Sequence, residues 1–205
     1  MTTQTAAPSA PSMSKRLTDS IVIVGPVRLS YLHVFQPVQN KLRKVDEYSV
    51  TLLIPKAPTP QCPRPEGILK LLRETSDAVL AAKFKSLPRK YDPRLLDGDA
   101  ETDNDGEPKY PGYWFLSCRS DADKPAPVLL DRNRRAVLQG GDWVSGDWGN
   151  VKLSLYAYEH EGTRGVGAGL RAIQFTHKDE PFGNAQTPEQ VAAEFDELEE
   201  EDILG

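Results

Sequence analysis

NVKLSLYAY, residues 150–158, is the clearest strand in the chain. Val151, Leu153, Leu155 and Ala157 fall on one face of an extended chain, and Lys152, Ser154, Tyr156 and Tyr158 fall on the other. A period of two marks a strand that buries one side and shows the other to water. Downstream, the glycine-rich Gly165-Val166-Gly167-Ala168-Gly169 reads as a turn entering a second strand, Val166–Phe175, that pairs back. Upstream, IVIVGPVRLSYLHVF (21–35) and EYSVTLLI (47–54) form a hairpin around a polar loop carrying Lys41, Arg43 and Lys44. Gly25-Pro26 bends or bulges its first strand. YPGYWFLSCRS (110–120) is an aromatic strand. Val128–Asp131 and Ala136–Leu138 are short strands around the basic turn Arg132-Asn133-Arg134-Arg135. Gly140-Gly141-Asp142 and Ser145-Gly146-Asp147 punctuate the chain around Trp143 and Trp148.

Only one segment of the body has helical spacing. After the proline-rich connector Ala57–Pro65, Ile68, Leu72 and Val79, with Leu69, Leu80 and Phe84, repeat at the period of a helix over Glu66–Phe84. Short strands at irregular spacing, many Gly and Pro turns and one inserted helix predict a mainly β fold, a small closed barrel in preference to a sandwich.

The ends differ from this body. Residues 1–18 start with a Thr-, Ala-, Pro- and Ser-rich run that has neither the basic start nor the apolar core of a signal peptide, and are expected to be disordered. The body is expected over 19–180 and an acidic tail over 181–205. Thr187-Pro188-Glu189-Gln190 has the residues of a capping box, opening a short helix striped by Val191, Phe195 and Leu198. No run of apolar residues is long enough to span a membrane.

Charge is segregated along the chain. From Asp179 to the C-terminus there are ten acids and no Lys or Arg, and Asp97–Glu107 adds six acids, also without a base. The remainder carries 14 acids against 25 bases. A basic body with an acidic tail fits a nucleic-acid binder better than an acidic mimic of DNA, which would be acidic throughout.

No catalytic constellation is legible. His33, His160 and His177 are far apart, without metal-ligand spacing. Cys62 and Cys118 have no CxxC pairing or nucleophile signature and are read as reduced thiols. The glycine run fails GxGxxG at Leu170. Glu101–Gly106 imitates the start of an EF-hand loop, but Gly112 stands where the bidentate Glu is needed. The acidic loop is therefore read as solvated and held extended by repulsion. The chain is expected to be no enzyme, with no metal and no cofactor.

Single-stranded nucleic acid offers phosphates and unstacked bases, so a binder needs cations along the backbone and flat rings for the bases. The candidate stacking residues are Tyr113, Trp114, Trp143, Trp148, Tyr156 and Tyr158. Tyr156 and Tyr158 rank first, because Leu155 and Ala157 already supply the core face. The candidate phosphate residues are Lys41, Arg43, Lys44, Arg89, Lys90, Arg119, Arg132, Arg134, Arg135 and Lys152.

Arg28-Leu29-Ser30-Tyr31 with Phe35, then Tyr48–Lys56, Asp97-Gly98-Asp99, Tyr113-Trp114-Phe115-Leu116, Asp131, Ser145-Gly146-Asp147-Trp148-Gly149, Tyr156-Ala157-Tyr158 and Gly165–Leu170 stand in one order. This order resembles the phage single-stranded DNA-binding proteins of the gene-2.5-like group, over residues 20–185. The resemblance implies an OB-like barrel of five strands, or an extension of it, in the cytoplasm of an infected bacterium. It also implies sequence-independent binding of single-stranded DNA in replication and recombination. The acidic tail would recruit replication proteins such as a polymerase or helicase-primase and inhibit binding in their absence. The tail residues concerned are Phe195, Leu198, Glu199, Glu200, Glu201, Asp202, Ile203 and Leu204. The chain departs from the group in its long N-terminus and in ending on Ile203-Leu204-Gly205, where some relatives end on an aromatic residue. The alternatives are a strand-annealing recombination mediator and an acidic mimic of DNA; no membrane partner is expected, and a homodimer is the self-assembly considered.

Overall fold

The alternation at 150–158 belongs to a strand that runs from Trp148 to His160 and is the seventh of eight among the described residues. The computed structural model describes residues 13–137 and 143–182. In chain order its elements are β1 (Lys15–Arg16), β2 (Ile21–Asn40), β3 (Val45–Pro55), α1 (Pro65–Phe84), β4 (Leu96–Asp97), β5 (Tyr113–Asp121), β6 (Val128–Leu130), β7 (Trp148–His160) and β8 (Thr163–His177).

β2, at 20 residues the longest described strand, pairs with one neighbour along its first half and another along its second. Ile21–Arg28 face β7 and Arg28–Asn40 face β3, both antiparallel, with a register shift between Val24 and Val27 where Gly25-Pro26 intervenes. β3 pairs β5, and β7 pairs β8. A parallel contact of Arg119 with Gly169 joins β5 to β8 and closes the ring β5-β3-β2-β7-β8. The short strands are additions: β1 lies on β2, β4 on β5 and β6 beside β8. This is the five-stranded OB barrel with extra strands and one helix inserted between its second and third strands.

Alternate residues fill the interior. Val22, Val24, Leu29, Val50, Leu52, Ile54, Leu116, Val151, Leu153, Leu155, Leu170, Ile173 and Phe175 are all buried. α1 packs Ile68, Leu72 and Leu80 onto the same core. Pro65, which lacks an N–H to satisfy, stands at the start of α1, and Lys85 ends it in the left-handed conformation.

Three expectations need correction. The lead-in is not disordered as far as residue 18: Lys15 and Arg16 pair with Ile23 and Val22, and the Ser14 hydroxyl donates to Gly25 O. The glycine run is no turn; it lies within β8, which starts at Thr163. The acidic loop is folded: Lys56 binds Asp97 and Asp99, Asp99 accepts the Gly112 N–H at 2.7 Å, and one Asp103 oxygen accepts from Asp105 and Glu107. Backbone N–H groups and one lysine neutralise carboxylates that repulsion alone would have spread. The tail helix, all eight named tail residues and Gly140-Gly141-Asp142 lie outside the described residues.

Candidate nucleic-acid interface

The outward row of β7 leans on the glycines of β8. Register places Tyr156 opposite Gly167 and Tyr158 opposite Gly165. A Cβ added to Gly167 would stand 2.3 Å from the Tyr156 ring, and one on Gly165 would stand 2.5 Å from the Tyr158 ring. Each ring therefore lies against bare backbone that any side chain would occupy. Tyr156 remains 48% exposed. The Tyr158 hydroxyl donates to Asp92 at 2.7 Å, and the Asp92 backbone bonds Arg164 and Val166, so the segment after α1 is tied to the same strands. Arg94 donates to Ser117 O, and Arg171 donates to the Ser154 hydroxyl, so both guanidinium groups are held over this face. Neither arginine was identified from the sequence, because only long-range pairing brings 94 and 171 beside 156 and 158.

A second aromatic cluster forms where β2 meets the loop before β5. Tyr31, Tyr110, Tyr113 and Phe182, with Lys109, line an open cavity of about 560 Å³. Tyr31 is 61% exposed and holds a φ of 48°, unusual for a residue with a Cβ. Burial, above all, raises the pKa of the Tyr110 phenol. Tyr110 also packs on Phe115, ring centroids 5.0 Å apart. In strand order the buried Thr51 of β3 and the half-buried Ser117 and Arg119 of β5 lie between the two clusters, with the Thr51 and Ser117 hydroxyls 3.0 Å apart. Of the rings in this cluster, Tyr113 was among the candidate stackers, whereas Tyr31 and Tyr110 were missed; a tyrosine beside Pro111-Gly112 was the available signal for the latter.

The three tryptophans fall differently. Trp148 is 2% exposed and its indole N–H donates to Asp179 at 2.7 Å. It has no free face for a base, which corrects its place among the stackers. Its role is to fasten the C-terminal segment. Asp147 accepts the Asp179 N–H, Arg28 donates to Gly146 O and Glu180 O, and Arg28 lies 4.2 Å from the Phe182 ring. The Ser-Gly-Asp-Trp-Gly motif is thus a clasp for residues 179–182. Trp114 points to the α1 side, with Lys56 and Arg73 near its ring. Trp143 stacks on Phe175 at 4.4 Å.

The candidate cations divide into two groups. Arg43 donates to Glu47 and Asp121 at 2.6 and 2.7 Å, and Arg119 lies 4.0 Å from Glu47. These bonds push the Arg43 pKa upward, and together with Lys124 they hold the Asp121 carboxyl down at about 2. Arg43 is thus engaged in tying the β2–β3 turn to β5. Lys41, Lys44, Arg89, Lys90, Arg132, Arg134, Arg135 and Lys152 make no ion pair among the described residues.

Other chemistry is sparse. Burial pushes Cys62 up to about 11 and Cys118 up to about 12, far from the thiolate that a nucleophile needs. Among the described residues no three His, Cys, Asp or Glu side chains gather in a metal-binding group, and no helix is long and apolar enough to cross a membrane.

The fold is an OB-type barrel with aromatic rings and cations on its outer face, and solved proteins share that fold. A solved single-stranded DNA-binding protein from bacteriophage Enc34, in complex with ssDNA, superposes with a TM-score of 0.67 at 21% identity, over 84% of this chain and 98% of that one. The single-stranded DNA-binding protein gp2.5 of bacteriophage T7 gives a TM-score of 0.55 at 16% identity, over 90% of this chain and 96% of that one. Protein p50 of Acyrthosiphon pisum secondary endosymbiont phage 1 is 30% identical over 187 residues, 87% of this chain and 95% of that protein. The family described as Enterobacter phage Enc34, ssDNA-binding protein, matches residues 20–204. The chain belongs to that family of phage single-stranded DNA-binding proteins.

Proposed function

We propose that this protein coats single-stranded DNA without sequence preference during phage replication and recombination in the host cytoplasm, and that it does no chemistry on the strand. The observation that carries this is the pair of tyrosine rings, Tyr156 and Tyr158, laid on bare glycine backbone at the outer face of β7 and β8. Rings so supported are pre-oriented for bases, and base–ring stacking tolerates any sequence. Small barrels of this topology use the face of their second and third strands and two of their turns for oligonucleotides. Here those are β3, β5, the Asn40–Lys44 turn and the Glu161-Gly162 turn. Tyr113, with Tyr31 and Tyr110, would take further bases. Lys41, Lys44, Arg89, Lys90 and Lys152 would follow phosphates, joined by Arg94, Arg119 and Arg171.

The acidic residues beyond 182 would compete with DNA for the same cations and be displaced by it, freeing Phe195, Leu198, Ile203 and Leu204 for a replication partner. Titration of a labelled thymidine oligonucleotide tests the binding role. Tyr156→Ala and Tyr158→Ala should each weaken binding by about 1–3 kcal/mol. Wild-type affinity in both variants would refute the stacking face. A ring or filament formed on DNA, detected as mass, would favour the strand-annealing alternative.

A further inference from the structure

The turn between β2 and β3 carries the most exposed large apolar side chain among the described residues, Leu42, at 95%. Single apolar residues are common on protein surfaces, but the surroundings of this one set it apart. The turn itself is firmly held. The Asn40 side-chain oxygen accepts the N–H groups of Leu42 and Arg43 at 3.1 and 3.0 Å, and the Lys44 N–H donates to Asn40 O at 2.7 Å. The Asn40 amide donates to the buried Glu47, and Arg43 donates to Glu47 and Asp121. Leu42 therefore stands in water at the tip of a stalk pinned to β3 and β5. Lys41 and Lys44 flank it, both exposed and without an ion pair among the described residues. Val38 and Val45, opposite Glu47 and Asn40 in register, leave further apolar surface on the stalk. The stalk adjoins the tyrosine row. Lys124 donates to the same Asp121 at 3.0 Å, and its pKa is raised by Asp121 first and, further down, by the Tyr156 phenol, so this lysine bridges turn and ring.

We propose that Leu42 is a wedge for duplex ends: where a bound single strand runs into paired DNA, the leucine packs against the last base pair and opens it, while Lys41 and Lys44 hold the phosphates of the diverging strands. The proposal rests on the single-strand-binding reading given above and adds to it an action on double-stranded DNA. Apolar side chains, leucine among them, open base steps by taking the place of a stacked neighbour. Leu42 can offset the lost stacking because nearly all of its surface lies in water beforehand and is covered by the base afterwards. An aliphatic side chain reads no base edge, so the wedge serves every sequence, as the coating role requires. The firmness of the turn matters, since a leucine on a pliant loop would fold aside instead of parting the pair. Bases released at the tip meet Lys124 and then Tyr156, which holds them apart from their former partners.

The test uses the full-length protein and a duplex with a thymidine overhang of about ten nucleotides, within the range that one OB barrel covers. The overhang is placed on the 5′ side in one substrate and on the 3′ side in the other. A dye on the overhang reports saturation by anisotropy. A 2-aminopurine in the terminal base pair reports opening, because its fluorescence rises as it unstacks. At saturation the wild type should raise that signal with at least one substrate. Leu42→Ser, also brought to saturation, should shift the opening about tenfold back towards the paired state, and Leu42→Phe should retain it. Neither variant should change the unfolding temperature, because Leu42 packs on almost nothing in the free protein. A flat signal from saturated wild type on both substrates, or an equal rise from saturated Leu42→Ser, would overturn the wedge and leave the tyrosine face standing. If the wild type fails to bind the overhang at all, the broader reading falls and the wedge falls with it.

Discussion

Gly167 shows how one absent side chain sets a site. Alanine there would push the Tyr156 ring off the sheet, since the three nearest atoms to the added Cβ all belong to the far end of that side chain. Gly167→Ala should therefore leave the unfolding temperature nearly unchanged and weaken oligonucleotide binding about as much as Tyr156→Ala; an unaffected affinity would show that the resting position of the ring is immaterial. Asp121 gives a prediction in pH. Its carboxyl titrates at about 2 instead of 3.8 because Arg43 first, and then Lys124, donate to its ionised form. A depressed folded-state pKa contributes stability above the unfolded value and loses it as pH falls through the folded one. The stability gap between wild type and Asp121→Asn in urea unfolding should be full at about pH 6 and close as pH falls from about 4 towards 2. A gap that does not vary with pH would remove the ion pairs as its cause.

The elements differ in how openly the sequence declared them. β3, β7 and α1 were legible because each carries its own period, and the β2–β3 hairpin because its loop is short and polar. β1 and β4 were not, since two polar or mixed residues become a strand only where a neighbour offers an edge. The glycines of β8 looked like a turn because the rings that cover them come from another strand. Of the candidate face, the outward placement of Tyr156 and Tyr158 is legible from alternation. Trp148 was misread, since its partner Asp179 lies 31 residues on, and Arg94 and Arg171 were invisible for the same reason. α1 offers a check on the fold that is independent of DNA. Leu80 is fully buried against the barrel, so Leu80→Ala should cost about 2–5 kcal/mol in urea unfolding, while a loss under 1 kcal/mol would mean that α1 is only loosely docked.

At the scale of the whole molecule, cations are distributed over the barrel and acids are concentrated beyond it. Residues 187–205 carry eight acids and no base, joined to the clasp at 179–182 by a short connection. If that segment competes with DNA, removing 187–205 should tighten oligonucleotide binding, most of all at low salt, where the competitor is least screened. Equal affinity with and without it at low salt would leave it no inhibitory role. Rings and cations on the outer face are proposed to hold single-stranded DNA irrespective of sequence. Fluorescence anisotropy of labelled oligonucleotides of several compositions, titrated with the full chain from about 50 to 200 mM salt, decides this. The expected result is similar affinity for every composition. Log affinity should fall linearly with log salt, by about 0.7 for each phosphate neutralised, and the Tyr156→Ala/Tyr158→Ala variant should be weaker throughout with the same slope. Binding confined to one sequence, affinity indifferent to salt, or a double variant that binds like wild type would refute this mode of binding.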